Sequence, residues 1–338
     1  MSRIAKKIPK ILIFLLIVVS IAGIAYNFCV FLIEKSQPSG EEVILIISEG
    51  ASAKSIGEML EEHQIIGSST RFVLFTKIKC QEKRIKAGRY VFKKGMGARS
   101  ALRILVAGKT KSLTVMIPEG LTIDEIAGLA AEKLNIDRDV FIALASNRAY
   151  ARKRGIEGEN FEGFLFPNTY KFNSGPSEKH VIDHLVGEFW NIFDDSLKQR
   201  ARELGFSVYE IVTLASLIEE EVMLERENPI VSQVYHKRLA LGRALECDAT
   251  IQYALAEHKA RLLYKDLKIE SPYNTYIHKG LPPGPIANPG KSAILAALYP
   301  AHTDYLYYVA KGDGSHIFSR TAKEHYKAIA SVRRKSRK

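Results

Sequence analysis

The chain has 338 residues, 46% hydrophobic and 25% charged, which is an ordinary globular composition with enough apolar mass for two modest domains. Its formal net charge of +12 comes without any nucleic-acid motif, so nucleic acid is excluded as the expected partner. Cys29, Cys80 and Cys247 are too scattered to form a disulfide framework or a zinc site.

Part of the positive excess lies at the two ends, with Arg3, Lys6, Lys7 and Lys10 preceding a long apolar run and Arg333, Arg334, Lys335, Arg337 and Lys338 closing the chain. Ile11 to Ile33 carries no charge. As a helix it would be about 34 Å long, enough to cross a hydrocarbon core of roughly 30 Å. The alternative is a cleaved signal peptide, but the run continues apolar through Phe28 to Ile33 instead of stopping at a small-residue site. Basic residues in front of the run place the N-terminus in the cytoplasm. The expectation is a cytoplasmic tail over 1–10 and a single transmembrane helix over 11–33 in the cytoplasmic (inner) membrane. Everything after the spacer Ser36 to Gly40 is expected outside, periplasmic or extracellular.

Val43 to Ile47 reads as a strand, followed by Ser48-Glu49-Gly50 and a helical pattern through Ile56, Met59 and Leu60. The same design returns 70 residues later, where Ile117-Pro118-Glu119-Gly120 leads into Ile123 and Ile126. A strand at Ala87 to Phe92 and a short helix at Ser100 to Ala107 complete a small α+β module over 42–112, suited equally to spacing or to glycan binding. Phe161 to Tyr170 packs four aromatic rings around Glu162, as a sugar-stacking segment or a core turn with a buried acid would. Val181 to Leu204 and Val208 to Leu224 read as a helical pair broken at Gly205, and Pro229 to Leu241 as a further helix. Asp248 is placed to cap the helix beginning there.

Residues 271–290 hold five of the twelve prolines and should form a stiff loop. Its Asn274, Tyr276 and Asn288 suit either a sugar groove or a structural belt. A helix at Ser292 to Leu298, a hairpin turning at Gly312-Asp313-Gly314, and a last helix capped by Thr321 with Glu324 end the chain. His316 and His325 are too few and too poorly spaced for a metal site.

The chemistry points to Thr213 to Glu221, an apolar helix that runs into Glu219, Glu220 and Glu221. Val208, Ile211, Val212, Ala215, Ile218 and Val222 define one buried stripe. Glu219 and Glu221 fall on its two margins, while Glu220 points away with Thr213 and Ser216. A carboxyl at such a margin is partly desolvated, which favours the proton-carrying form a general acid needs near neutral pH. The residues alone do not rank Glu219 above Glu221.

Four segments resemble the endolytic murein transglycosylase (YceG-like) family: Leu214 to Glu221, Phe161 to Tyr170, residues 271–290, and Gly314 to His325. They occur in the family's order and cover nearly all of the chain after residue 42. Departures are Asn168 for the usual Asp, Glu220 for Lys, Glu246-Cys247 for Gln-Ser, and Ala287 for Cys. The resemblance implies an α+β protein with an N-terminal transmembrane helix, a LysM-like subdomain over 42–112 and a catalytic domain over 113–338. It implies endolytic cleavage of the β-1,4 bond between N-acetylmuramic acid and N-acetylglucosamine in peptidoglycan strands, leaving 1,6-anhydro ends and needing no metal or organic cofactor. It ranks Glu219 as the acid/base and Glu221 as its near neighbour or a sugar contact, with Glu162, Tyr170, Asn274, Tyr276 and Asn288 as groove residues. Peptidoglycan synthases in the membrane are the implied partners. A hydrolytic muramidase and a non-enzymatic glycan-binding scaffold are the alternatives.

Overall fold

The computed structural model describes residues 38–48, 50–108, 112–172, 175–255 and 259–335, with seven positions between 14 and 23. The chain is mixed α+β, with helices and small two-stranded sheets. The expected membrane segment at 11–33 lies for the most part outside the described residues, and among the described residues no helix is long and apolar enough to cross a membrane. Contacts divide the chain into two units. One holds residues 1–113 with 172–175, the other 114–171 with 176–338.

In the first unit β1 (Glu42–Ile47) is followed by α1 (Ala53–Glu62), α2 (Ser69–Ile78), β2 (Gly88–Lys93) and α3 (Ala98–Ala107). The strands pair antiparallel, with Leu45 opposite Tyr90 and Ile47 opposite Gly88. The period of two decides which face is covered: Leu45 and Ile47 are buried while Ile44 and Ile46 are exposed. The buried face meets Ile56 and Leu60 of α1, Phe72 of α2, and Ala101, Leu102 and Leu105 of α3. The hydroxyls of Ser52 and Ser68 cap α1 and α2, and Gly108 ends α3 in the left-handed conformation that favours glycine.

The second unit takes in all but the first residue of β3 (Leu113–Ile117) and all but the last of β4 (Asn168–Phe172), which pair with each other. Between them lie α4 (Ile123–Leu134), α5 (Arg138–Ala145) and α6 (Arg148–Lys153). After β4 come α7 (Glu178–Ile192), α8 (Asp195–Glu203), α9 (Val208–Glu221), α10 (Asn228–Ala240), α11 (Asp248–Ala254) and α12 (Lys291–Leu298). The hairpin of β5 (Tyr307–Ala310) and β6 (His316–Ser319) and then α13 (Ala322–Lys335) finish it. The strand-turn-helix repeat is present at its offset of 70 residues: β1 ends at Ile47 and β3 at Ile117, α1 starts at Ala53 and α4 at Ile123.

Three readings are corrected. Residues 181–204 form two helices, because Asp194 leaves helical geometry and its carboxylate accepts from the N–H groups of Ser196 and Leu197. Cys247, not Asp248, occupies the cap position of α11, and the Asp248 carboxylate accepts instead from the Tyr276 hydroxyl at 2.5 Å. Helix α9 has no polar outer face over its middle, since every residue from Ile211 to Ile218 is buried, Thr213 and Ser216 included. Thr213 is satisfied within the helix by donating to the Tyr209 carbonyl at 2.8 Å, and Ser216 by donating to the Thr213 carbonyl at 2.7 Å. That removes the penalty for burying the two hydroxyls. Each large apolar side chain enclosed here contributes about 2 kcal/mol as an upper figure.

Candidate active site

Helix α9 starts with a capping box between Ser207 and Glu210 and is packed chiefly by α12 and α10. Its last turn holds three carboxylates and no basic residue. A helix C-terminus carries partial negative charge, so this is the wrong end for acids on stability grounds. Such a broken local rule is what a functional or strained position would show.

Glu219 is half-buried, and its Oε2 accepts the backbone N–H of Gly290 at 3.0 Å. Loss of hydration pushes its carboxyl up to about 7 against the opposing pull of the Gly290 N–H, with the charges of Glu119 and Glu225 adding to the rise. Glu220 is exposed along its flank, but its carboxyl tip lies against Gly120, where an added Cβ would stand 2.9 Å from Oε1. Desolvation first, and Glu219 second, raise it to about 7 as well.

Glu221 turns the other way into a polar pocket. It accepts from the Cys247 thiol and from the Tyr308 hydroxyl, each at 3.2 Å, and Tyr308 shares a 2.8 Å hydrogen bond with the Tyr235 hydroxyl. Burial lifts its carboxyl and the Cys247 thiol above their ordinary values. Cys247 is a free, buried thiol and Cys80 a free, exposed one. Tyr276, held on Asp248, belongs to this side of the helix and feels the Glu221 charge.

The proline-rich loop is tied to the helix and to the start of α4. Ser216 Oγ accepts the Ile286 N–H at 3.1 Å. The fully buried Asn288 donates from Nδ2 to the Leu121 carbonyl and to Glu162, and its Oδ1 accepts the Leu165 N–H, all at 2.8 Å. Glu162 also accepts the Ile123 N–H at 3.1 Å, and burial raises its carboxyl to about 8. Asn274 is likewise buried, its amide donating to the carbonyls of Leu267 and Ile269. Tyr170 is buried with its hydroxyl on the Phe166 carbonyl at 2.6 Å. Asn274, Asn288 and Tyr170 therefore spend their polar atoms inside the protein, where they hold loop geometry. Of the expected groove residues, Glu162 borders open space, though its own carboxyl is buried and held by the Ile123 N–H and the Asn288 amide.

That space is a cavity of about 690 Å³ whose lining includes Glu119, Gly120, Glu162, Glu220, Tyr253 and Ile286. Glu219 is not part of that lining; its helix neighbour Glu220 and the adjacent Gly120 are, while its own carboxyl is turned to the Gly290 amide. Glu119 belongs to the Glu-Gly turn that recurs at an offset of 70 residues, and that recurrence is the one signal in the sequence that points to it. A second cavity, about 450 Å³, lies at the other end of α9 beside Trp190 and Tyr209 and contains no paired acids. The α9 arrangement has the chemistry that proton transfer needs: a half-sheltered acid raised to about 7, a backbone amide bonded to it, and a cleft lined by the neighbouring Glu220.

Residues 45–331 match the YceG-like family, and the chain belongs to it. It is similar to the Bacillus subtilis protein named endolytic murein transglycosylase, 33% identical over 91% of this chain and 90% of that one. The Streptococcus pneumoniae protein of the same name is 27% identical over 86% of this chain, which spans 58% of that longer relative. A crystal structure of a YceG-like protein from Listeria monocytogenes matches with a TM-score of 0.59 and 30% identity, over 86% of this chain and 99% of that one.

Proposed function

We propose that the protein is an endolytic lytic transglycosylase that cuts the N-acetylmuramic acid–β-1,4–N-acetylglucosamine bond within peptidoglycan strands and leaves 1,6-anhydro ends. The observation that carries this reading is the carboxyl of Glu219, raised to about 7 by desolvation and bonded to the Gly290 N–H. In its protonated form Glu219 donates to the glycosidic oxygen as the bond to C1 breaks. The resulting carboxylate then takes the proton of the muramyl 6-hydroxyl as that oxygen closes on C1, which regenerates the acid. One residue thus handles both proton transfers, and the sugar supplies its own nucleophile in place of water or a second carboxylate.

The 42–112 module, by this reading, is a LysM-like subdomain, supported by its strand-helix-helix-strand order. The catalytic domain is 113–338. The apolar run at 11–33 anchors the chain in the cytoplasmic membrane, with residues 1–10 inside and the catalytic domain outside, where it would end newly made strands beside the synthases.

The test is digestion of purified glycan strands by the full chain in detergent, with products weighed by mass spectrometry. Anhydro ends are one water lighter than reducing ends. Glu219→Gln should lower cleavage by about 10²–10⁴-fold without unfolding the protein. Near-normal turnover of that variant removes Glu219 from the mechanism. Reducing ends identify a muramidase, and binding without cleavage a scaffold.

A further inference from the structure

Two glycines make room for the acids of this site. Gly290 has φ −76° and ψ 173°, a conformation open to any residue, so backbone freedom does not explain it. Space does: a Cβ there would fall 1.8 Å from Oε1 and 2.1 Å from Cδ of Glu119. The Glu119 carboxyl therefore rests on the bare α-carbon of the same residue whose N–H is bonded to Glu219. Its seat is rigid, because the Gly120 N–H donates to the Asn288 carbonyl and the Asn288 N–H to the Leu121 carbonyl, each at 2.9 Å. Gly120 in turn brings its turn against α9, where an added Cβ would lie 3.9 Å from Cγ of Glu219.

We propose that Glu119 is a positioning residue for Glu219, its negative charge on the far side of Gly290 holding the proton on Glu219 in the resting protein. This rests on Glu219 being the acid of the proposed reaction. The charges around Glu219 favour it. Glu220 and Glu221 share its helix, Glu225 follows in the next turn, and Asp248 of α11 bears on Glu221. Lys291 at the start of α12 and Arg226 in the turn are exposed, and among the described residues neither forms an ion pair with Glu219. The Glu119 carboxyl is itself pushed up, by desolvation first and the Glu225 charge second, so it and Glu219 oppose each other's ionisation. Glu119 also lines the cleft, so the same carboxyl is placed to bias the acid before substrate covers both.

The experiment is the pH profile of kcat/KM for glycan cleavage by the full chain and its variants. Glu119→Gln removes the like charge, so Glu219 loses its proton at lower pH. The alkaline limb should move down by about half a unit, roughly a threefold loss of activity above the limb, the exposed carboxyl being partly screened. Gly290→Ala, whose methyl takes the carboxyl's seat, should reproduce the shift, while Glu119→Asp should keep most of the original profile. An alkaline limb that stays in place in any folded Glu119→Gln or Gly290→Ala protein, with activity merely scaled at every pH, overturns the proposal. A parent chain that cleaves no glycan defeats the proposed function instead, which keeps the two failures apart.

Discussion

Asn288→Ala tests whether the proline-rich loop is held by its asparagines or offers them to a ligand. The side chain is fully buried and makes three hydrogen bonds of 2.8 Å, to the Leu121 carbonyl, the Glu162 carboxyl and the Leu165 N–H. Alanine leaves the Leu165 N–H without its mate in a closed space, while the Leu121 carbonyl keeps the backbone N–H of residue 288 and Glu162 keeps the Ile123 N–H. That orphaned donor costs about 1–3 kcal/mol and each of the other two lost hydrogen bonds about 1 kcal/mol, while a water entering the vacated volume would recover part of this, so the net loss should be about 2–4 kcal/mol. For a unit of this size that lowers the melting temperature by about 10 °C. The assay is thermal unfolding of the detergent-solubilised chain by calorimetry, read beside KM for glycan strands. A melting temperature within about 2 °C of the parent, together with a raised KM, would refute the reasoning and return Asn288 to the groove.

Gly163 is a sharper case, because it has φ +86° and an added Cβ would lie 2.6 Å from Pro285 and 2.7 Å from Val212. Gly163→Ala should cost about 3 kcal/mol or more, whereas Gly205→Ala, at φ +79° with nothing within 4 Å, should cost only about 1 kcal/mol of backbone strain. Equal melting temperatures for the two variants would show that space around Gly163 is not limiting. Stability should also depend on pH through Glu162. Its carboxyl is raised to about 8, so the folded protein holds a proton the unfolded chain releases, and stability complete at pH 4 declines as pH climbs to about 8. The slope from this group is at most about 1.4 kcal/mol per pH unit. Glu162→Gln, melted at pH 5 and pH 8, should lose that component of the decline. Identical slopes for the two proteins would mean that Glu162 is already ionised in the fold.

Much of this molecule is written locally. The repeated strand-turn-helix at its 70-residue offset follows from alternation in Val43 to Ile47, helical periodicity after Ile56 and Ile126, and the caps at Ser52 and Thr122. The capping box of Thr321 and Glu324 is there too, Glu324 N–H on Thr321 Oγ1 and Thr321 N–H on Glu324, each at 3.3 Å. These features involve residues three or four apart, so a sequence displays them. The break at Asp194 was also a local signal, a cap residue obscured by the strong helical pattern on either side.

Sequence by itself determined that an apolar helix ends in three acids, that a stiff loop lies downstream, and that both resemble a family of glycan-cleaving proteins. Only the tertiary structure decided what each acid faces. Glu219 meets an amide 71 residues away, Glu221 a thiol 26 residues on, and Glu162 an asparagine 126 residues on. Proton affinity is set by what surrounds a carboxyl in space, and neighbours so remote along the chain leave no periodic trace in it. The same remoteness hid Glu119, whose partner across Gly290 exists only once the loop has folded back onto the helix.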